Sequence, residues 1–213
     1  MLKVNEIFYS IQGESSYAGY PCVFVRLTGC NLRCTYCDTK YAYEKGTNMT
    51  IGKILDTVSR YECPLVEITG GEPLLQEETP QLAKALLEKG FQVLVETNGT
   101  QNIDLLKDNV VRIVDIKTPG SGESDKTDWK NLDRLYKDDE IKFVLVNFSD
   151  YEWAKGIVRR YNLTQKVTVL FSPASGVNLD PAELAQWILD DRLNVRLQLQ
   201  FHKILWPDKD RGK

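Results

Sequence analysis

The chain has 213 residues, of which 42% are hydrophobic and 27% charged, and a net charge of −3. That balance excludes a disordered polymer and predicts one globular domain over residues 1–213; the interspersed charge leaves no basic face for a phosphate backbone, so a small-molecule partner and no nucleic acid are expected. No stretch is long and apolar enough for a membrane span, and MLKVNEIFYSIQGE has polar and acidic breaks where a signal peptide needs an apolar run, so a cytoplasmic location is expected.

Residues 21–28, PCVFVRLT, are rich in β-branched and aromatic side chains and predict a strand that delivers Gly29 and a cysteine-rich loop. Thr50 is placed to cap a helix in which Ile51, Ile54, Leu55 and Val58 recur at helical spacing. LVEIT (65–69) reads as a short buried strand ending at Gly70-Gly71, followed by a helix over about 79–89 that Gly90 terminates. FQVLVET (91–97), VVRIVDI (110–116), IKFVLV (141–146) and KVTVLF (166–171) continue the series, with a helical SDYEWAKGIVRRY between the last two. PAELAQWILDD then predicts a helix leading to a final strand, NVRLQLQ, with His202 at its end.

Near-continuous apolar strands alternating with helices predict an α/β fold whose sheet is mostly parallel. About seven strands with fewer marked helices fit an incomplete, TIM-like barrel better than a full eightfold one. Ligands of such folds gather at the carboxyl ends of the strands, where Cys30, Gly70-Gly71-Glu72, Glu96-Thr97-Asn98-Gly99, Lys117, Ser172-Pro173 and His202 all fall. The polar segment 117–130, KTPGSGESDKTDWK, is either a plain surface loop or a wall over that mouth.

Five cysteines, an odd number, are a poor disulfide framework for a reducing compartment, which leaves metal binding as the first question. Cys30, Cys34 and Cys37 lie on one short loop with gaps of three and two residues, compact enough to cap three corners of a cubic cluster and leave one iron open. Thiolates suit zinc as well, but closed structural zinc takes four ligands, and only Cys22, Cys63 and His202 could supply a fourth from elsewhere. Cys22 and Cys63 otherwise read as small buried residues.

The C-x3-C-x2-C loop after a strand resembles the signature of the radical S-adenosylmethionine enzymes. Ile68-Thr69-Gly70-Gly71-Glu72-Pro73 and Glu96-Thr97-Asn98-Gly99 resemble two further segments of that superfamily, in the same order. A narrower likeness runs through Phe8–Glu14 (FYSIQGE), Gly19-Tyr20-Pro21, Phe24–Leu27, Cys37-Asp38-Thr39 and Gln200–Lys203, and is to the 7-carboxy-7-deazaguanine synthase family.

The resemblance implies a radical SAM core with a 4Fe-4S cluster on Cys30, Cys34 and Cys37, S-adenosylmethionine on its open iron, and Mg2+ with Thr39 as protein ligand. It implies a lyase that converts 6-carboxy-5,6,7,8-tetrahydropterin into 7-carboxy-7-deazaguanine with loss of ammonia, on the route to queuosine. The implied cofactor contacts are Tyr36, Cys37, Asp38, Gly71, Glu72, Asn98, Asp115, Ile116, Lys117, Ser172, Pro173 and Ala174, with Glu72 helping to receive the methionine ammonium. The implied substrate contacts are Ile11, Gln12, Gly13, Glu14, Arg26, Thr69 and His202; Arg26 suits the carboxylate because a guanidinium grips it with two parallel hydrogen bonds. A flavodoxin-type or other low-potential reductant and a homodimer are also implied. The rival readings are a glycyl-radical-enzyme activase with the same cluster chemistry and a non-enzymatic iron–sulfur or zinc protein.

Overall fold

The computed structural model describes residues 1–106, 109–209 and 211–212. β1 (Leu2–Ile11) and β2 (Pro21–Leu27) pair antiparallel, and β3 (Thr47–Met49) adds to the other side of β1. α1 (Ile51–Ser59) leads to β4 (Leu65–Gly70), parallel to β2. α2 (Thr79–Glu88), β5 (Gln92–Thr97), β6 (Val110–Lys117), β7 (Glu140–Leu145), α3 (Phe148–Tyr161), β8 (Thr168–Pro173), α4 (Pro181–Asp190), β9 (Arg196–Leu197) and α5 (Phe201–Leu205) follow. The described strands form one sheet in the order β3-β1-β2-β4-β5-β6-β7-β8-β9, parallel from β2 onward and not closed.

Local chemistry sets the element ends. The Thr50 hydroxyl accepts a hydrogen bond from the Lys53 amide at 3.3 Å, Asn147 does the same for Asp150 at 3.0 Å, and Asp180 for Ala182 at 2.8 Å, each satisfying one orphan donor of a first turn. Gly90 takes a positive φ just past the end of α2. Ile54 and Val58 of α1, and Leu82 and Leu86 of α2, are fully buried or nearly so together with Val66, Ile68, Val93 and Val95 of the sheet. Truncating such a side chain to alanine costs roughly 2–5 kcal/mol.

Strand alternation then divides the sheet into two faces. Val23 and Val25, Val66 and Ile68, and Val93 and Val95 belong to the hydrophobic core. Their alternates Phe24 and Arg26, Glu67 and Thr69, Glu96, Asp115 and Lys117, and Lys142 and Val144 line a single cavity.

The last predicted strand is cut short. NVRLQLQ contributes only Arg196 and Leu197 to the sheet, and His202 sits in α5 instead of closing a strand. After Gln198 donates its amide to Phe171 O at 2.8 Å, the chain leaves the sheet edge, and the Phe201 amide donates to Gly13 O at 3.0 Å. The segment after β9 therefore reaches back to the β1–β2 connection and spans part of the gap that strands leave open. The links from β5 to β6 and from β6 to β7 carry short 3-10 turns in place of α-helices.

Candidate active site

The cysteine loop starts where β2 ends. Gly29 takes a φ of 102°, a conformation that favours glycine, and its amide donates to Ala42 O at 2.9 Å. Leu32 is buried at the loop's centre. The segment after β6 clasps the loop from outside: the Thr35 amide donates to Ser121 O at 3.1 Å, its hydroxyl to Gly120 O at 2.9 Å, and the Arg33 amide to Glu123 at 2.6 Å. Residues 118–123 thus pack against the cysteine loop from outside, while of the segment 117–130 only Lys117 lines the cavity. Gly71 presses on the other side, where a Cβ would lie 2.8 Å from Cys30 Cβ and closer still to Gly29 O, so only glycine permits this approach of β4 to the loop.

Cys30, Cys34 and Cys37 are free thiols that line the same cavity. Among the described residues, no group of three or more His, Cys, Asp or Glu side chains is arranged to hold a metal ion. A cubane cluster, unlike a single ion, gives each thiolate its own iron, and three soft donors spread along a cavity wall match that need. The Leu32 amide and the Asn98 amide nitrogen approach Cys30 Sγ at 3.4 Å and 3.9 Å, where they would support negative charge on sulfur. Burial pushes the Cys34 thiol up to about 11, against the opposing pull of Lys117, so the site favours the thiolate only once a metal compensates it.

The cavity brings together most of the residues implied by the sequence. Tyr36, Cys37, Asp38, Thr39, Gly71, Asn98, Asp115 and Lys117 line its cysteine side, and Ile11, Gln12, Gly13, Glu14, Arg26, Thr69 and His202 line the rest. Lys117 Nζ lies 2.8 Å from Asp115, and the Thr39 hydroxyl donates to Asp38 at 2.8 Å. Arg26 donates through Nε to Glu6 at 3.0 Å, and its guanidinium lies over the rings of Phe8 and Tyr41.

Several implied residues stand elsewhere. Ile116 and Ser172 are buried and, with Pro173 and Ala174, stay off the lining, while the neighbouring Ser175 is on it. Glu72 is fully buried and off the lining as well. One of its oxygens accepts from the Leu74 amide at 2.9 Å and the Thr97 hydroxyl at 2.8 Å, the other from the Asn98 amide at 2.6 Å. In this arrangement Glu72 ties the end of β4 to the end of β5.

Sequence reasoning missed Glu67 and Lys142 and placed Glu96 at the mouth without giving it a contact; all three are on the lining. Their signal was present: each is a charge inside an apolar strand, in LVEIT, VLVET and IKFVLV. A charged side chain is tolerated there only if it faces polar partners. Burial together with nearby Glu96 raises the Glu67 carboxyl well above its ordinary range, and it accepts a hydrogen bond from Gln12.

Residues 24–119 match the family model of the Radical SAM superfamily. Over 99% of this chain, 45% of residues are identical to the 7-carboxy-7-deazaguanine synthase of Koribacter versatilis, all of whose length is covered. The chain belongs to the 7-carboxy-7-deazaguanine synthase family. The synthase of Chlorobaculum tepidum is 46% identical over 99% of this chain and 97% of its own. Among solved structures, QueE from Escherichia coli superposes with a TM-score of 0.77 at 26% identity, covering 93% of both chains. This synthase is thus a radical SAM lyase that uses a 4Fe-4S cluster and S-adenosylmethionine, and the rival readings as an activase or a non-enzymatic metal protein fall away.

Proposed function

We propose that this synthase contracts the ring of 6-carboxy-5,6,7,8-tetrahydropterin to 7-carboxy-7-deazaguanine with loss of ammonia. The supporting observation is one cavity lined both by the three thiols with Lys117 and Asp115 and by Arg26, Glu14 and His202. Cys30, Cys34 and Cys37 hold the cluster. When bound, the cluster and S-adenosylmethionine supply a 5′-deoxyadenosyl radical that takes hydrogen from C6 of the pterin and later returns it. Such a radical attacks almost any C–H bond, so the protein's task is to orient one carbon and exclude water.

Arg26 presents its two terminal nitrogens to the substrate carboxylate while Glu6 holds Nε. Glu14, Gln12, the Ile11 and Gly13 backbone, Thr69 and His202 receive the pterin. Tyr36, Asp38, Asn98, Asp115 and Lys117 face S-adenosylmethionine, with Gly71 giving close backbone approach. Glu72, Ile116, Ser172, Pro173 and Ala174 support that wall from behind. Thr39 would hold Mg2+ near the substrate carboxylate; the ion's shell commonly keeps several waters, so one protein oxygen would suffice. A flavodoxin-type or other low-potential donor supplies the electron, and the enzyme acts as a cytoplasmic homodimer. Among the described residues no helix is long and apolar enough to cross a membrane, and light scattering tests the dimer.

The deciding assay is anaerobic turnover with reconstituted cluster, reductant, magnesium, S-adenosylmethionine and the pterin, read by mass spectrometry. The expected result is 7-carboxy-7-deazaguanine, lost in Cys34→Ala and less stimulated by magnesium in Thr39→Ala. Accumulation of 5′-deoxyadenosine alone overturns the substrate; neither product, with an intact cluster, overturns the radical role of the cysteines.

A further inference from the structure

Lys142 lies in the middle of β7 and is almost wholly buried, yet its side chain lines the active-site cavity. Its Nζ donates to Glu14 Oε2 at 2.7 Å and to Glu96 Oε1, and lies 3.5 Å from Asp115. The partners come from the β1–β2 connection, β5 and β6, so one ammonium joins four separate parts of the sheet. Gln200 donates to the second oxygen of Glu14 at 2.8 Å. Each carboxylate oxygen has two acceptor positions, so Glu14 keeps one on each oxygen, a pair suited to two parallel N–H donors.

We propose that Lys142 is a positioning and specificity residue, which holds Glu14 and Glu96 as acceptors and so selects a 2-amino-4-oxo pyrimidine edge. The inference rests on the reading that Glu14 receives the pterin. That edge offers adjacent donors, the ring N3–H and the 2-amino group. An analogue with oxygen at C2 sets a lone pair against the carboxylate in place of the amino group, and a site built to accept from a donor rejects such a mismatch strongly.

A buried ion cluster is weak support for stability, since packed apolar side chains often do as well. Its place on the cavity wall assigns it to recognition. The groups facing Glu14 are Lys142 from β7, Glu96 from β5, Glu67 from β4, Asp38 from the cysteine loop, and Gln200 and His202 from the closing segment. Burial opposes ionisation of Glu14, and Lys142 followed by His202 outweighs it, holding the carboxyl well below its usual range. Without Lys142, only His202 and Gln200 oppose burial and the neighbouring carboxyls, so the Glu14 carboxyl rises, and where it takes up a proton one acceptor becomes a donor.

The test is equilibrium binding to the reconstituted enzyme with S-adenosylmethionine, under anaerobic conditions. The probes are 6-carboxypterin, which keeps the 2-amino-4-oxo edge, and 6-carboxylumazine, which has oxygen at C2. Wild type is expected to prefer the pterin at least ~30-fold; Lys142→Met is expected to cut the preference to within ~3-fold. The variant's pterin affinity is also expected to weaken by about tenfold per pH unit as pH falls below the raised Glu14 value, where wild type stays flat. Lys142→Met with Glu96→Gln removes one positive and one negative charge together, so it decides the matter if the single variant does not fold, and it is expected to lose the preference equally. Preference retained in the folded variants overturns the role of Lys142 alone. A wild type that binds both probes equally overturns the pterin reading of Glu14 and the proposal with it.

Discussion

Gly13 and His202 meet across the mouth of the cavity so closely that a Cβ on Gly13 would lie 3.0 Å from the His202 amide nitrogen and 3.1 Å from its Cγ. The contact joins the β1–β2 connection to α5, and the Phe201 amide bonds Gly13 O beside it. Gly13→Ala is expected to displace α5, costing about 1–3 kcal/mol as overpacking does, and to raise KM for the pterin. Gly13→Ala combined with His202→Ala removes the ring contacts and leaves only the tight approach to the backbone nitrogen, so its melting temperature is expected to exceed that of Gly13→Ala. Equal melting temperatures would show that the two residues do not meet.

Glu67 gives a pH dependence whose sign is set by its raised carboxyl. Below the unfolded value near 4.5 the group is protonated in both states and costs nothing. As pH rises further, the unfolded chain releases the proton and the folded one keeps it, so stability falls by up to about 1.4 kcal/mol per pH unit until the folded value is reached. Glu67→Gln preserves an acceptor for Gln12 and does not titrate. Relative to wild type it is expected to gain stability between pH 4 and pH 8 in urea melts; a constant offset at both pH values contradicts the raised carboxyl.

Asp150 anchors the segment packed beside the cysteine loop. Its carboxylate accepts from the Thr118 hydroxyl at 2.9 Å, the Gly120 amide at 2.8 Å and the Val146 amide at 3.1 Å. Asp150→Ala leaves three donors without that partner, at a cost of ~2–4 kcal/mol. Hydrogen exchange should quicken at residues 118–123 and at Thr35, whose amide bonds Ser121. Exchange confined to the helix start would mean that the segment is held by other contacts.

Glu6 aims Arg26. It accepts from Arg26 Nε and, at 2.9 Å, from the Tyr41 hydroxyl. Glu6→Ala is expected to raise KM for the carboxylated pterin about tenfold with a smaller change in kcat, and Arg26→Lys to raise it further, because an ammonium cannot form the paired contact. A pterin lacking the carboxylate should be insensitive to both substitutions; equal sensitivity would place Arg26 outside carboxylate binding.

The local features were legible in the sequence. Cys30, Cys34 and Cys37 lie within one loop, Gly29 and Gly71 mark where backbone must turn or approach, and near-continuous apolar strands alternating with helices identify a parallel sheet with its ligand end. These properties depend on neighbours along the chain. The short β9 was misread because Val195, Leu197 and Leu199 alternate like a strand, whereas the contact of Phe201 with Gly13 that draws the chain away is remote in sequence. Ile116 is buried off the cavity lining while Asp115 and Lys117 beside it are on it, a division that strand alternation sets and the segment match alone did not resolve.

Only the tertiary structure decided which charges meet. Glu14, Glu96, Asp115 and Lys142 come from different strands and connections, and pairing of Lys142 with Asp115 across β6 and β7 sets how they align. Sequence identifies each as a charge in or beside an apolar strand; strand order and register place them within reach of one ammonium. Burial then turns proximity into chemistry, raising the Glu67 carboxyl and keeping Glu14 ionised, because in a low-dielectric wall the nearest opposite charge determines which carboxyl can hold its own.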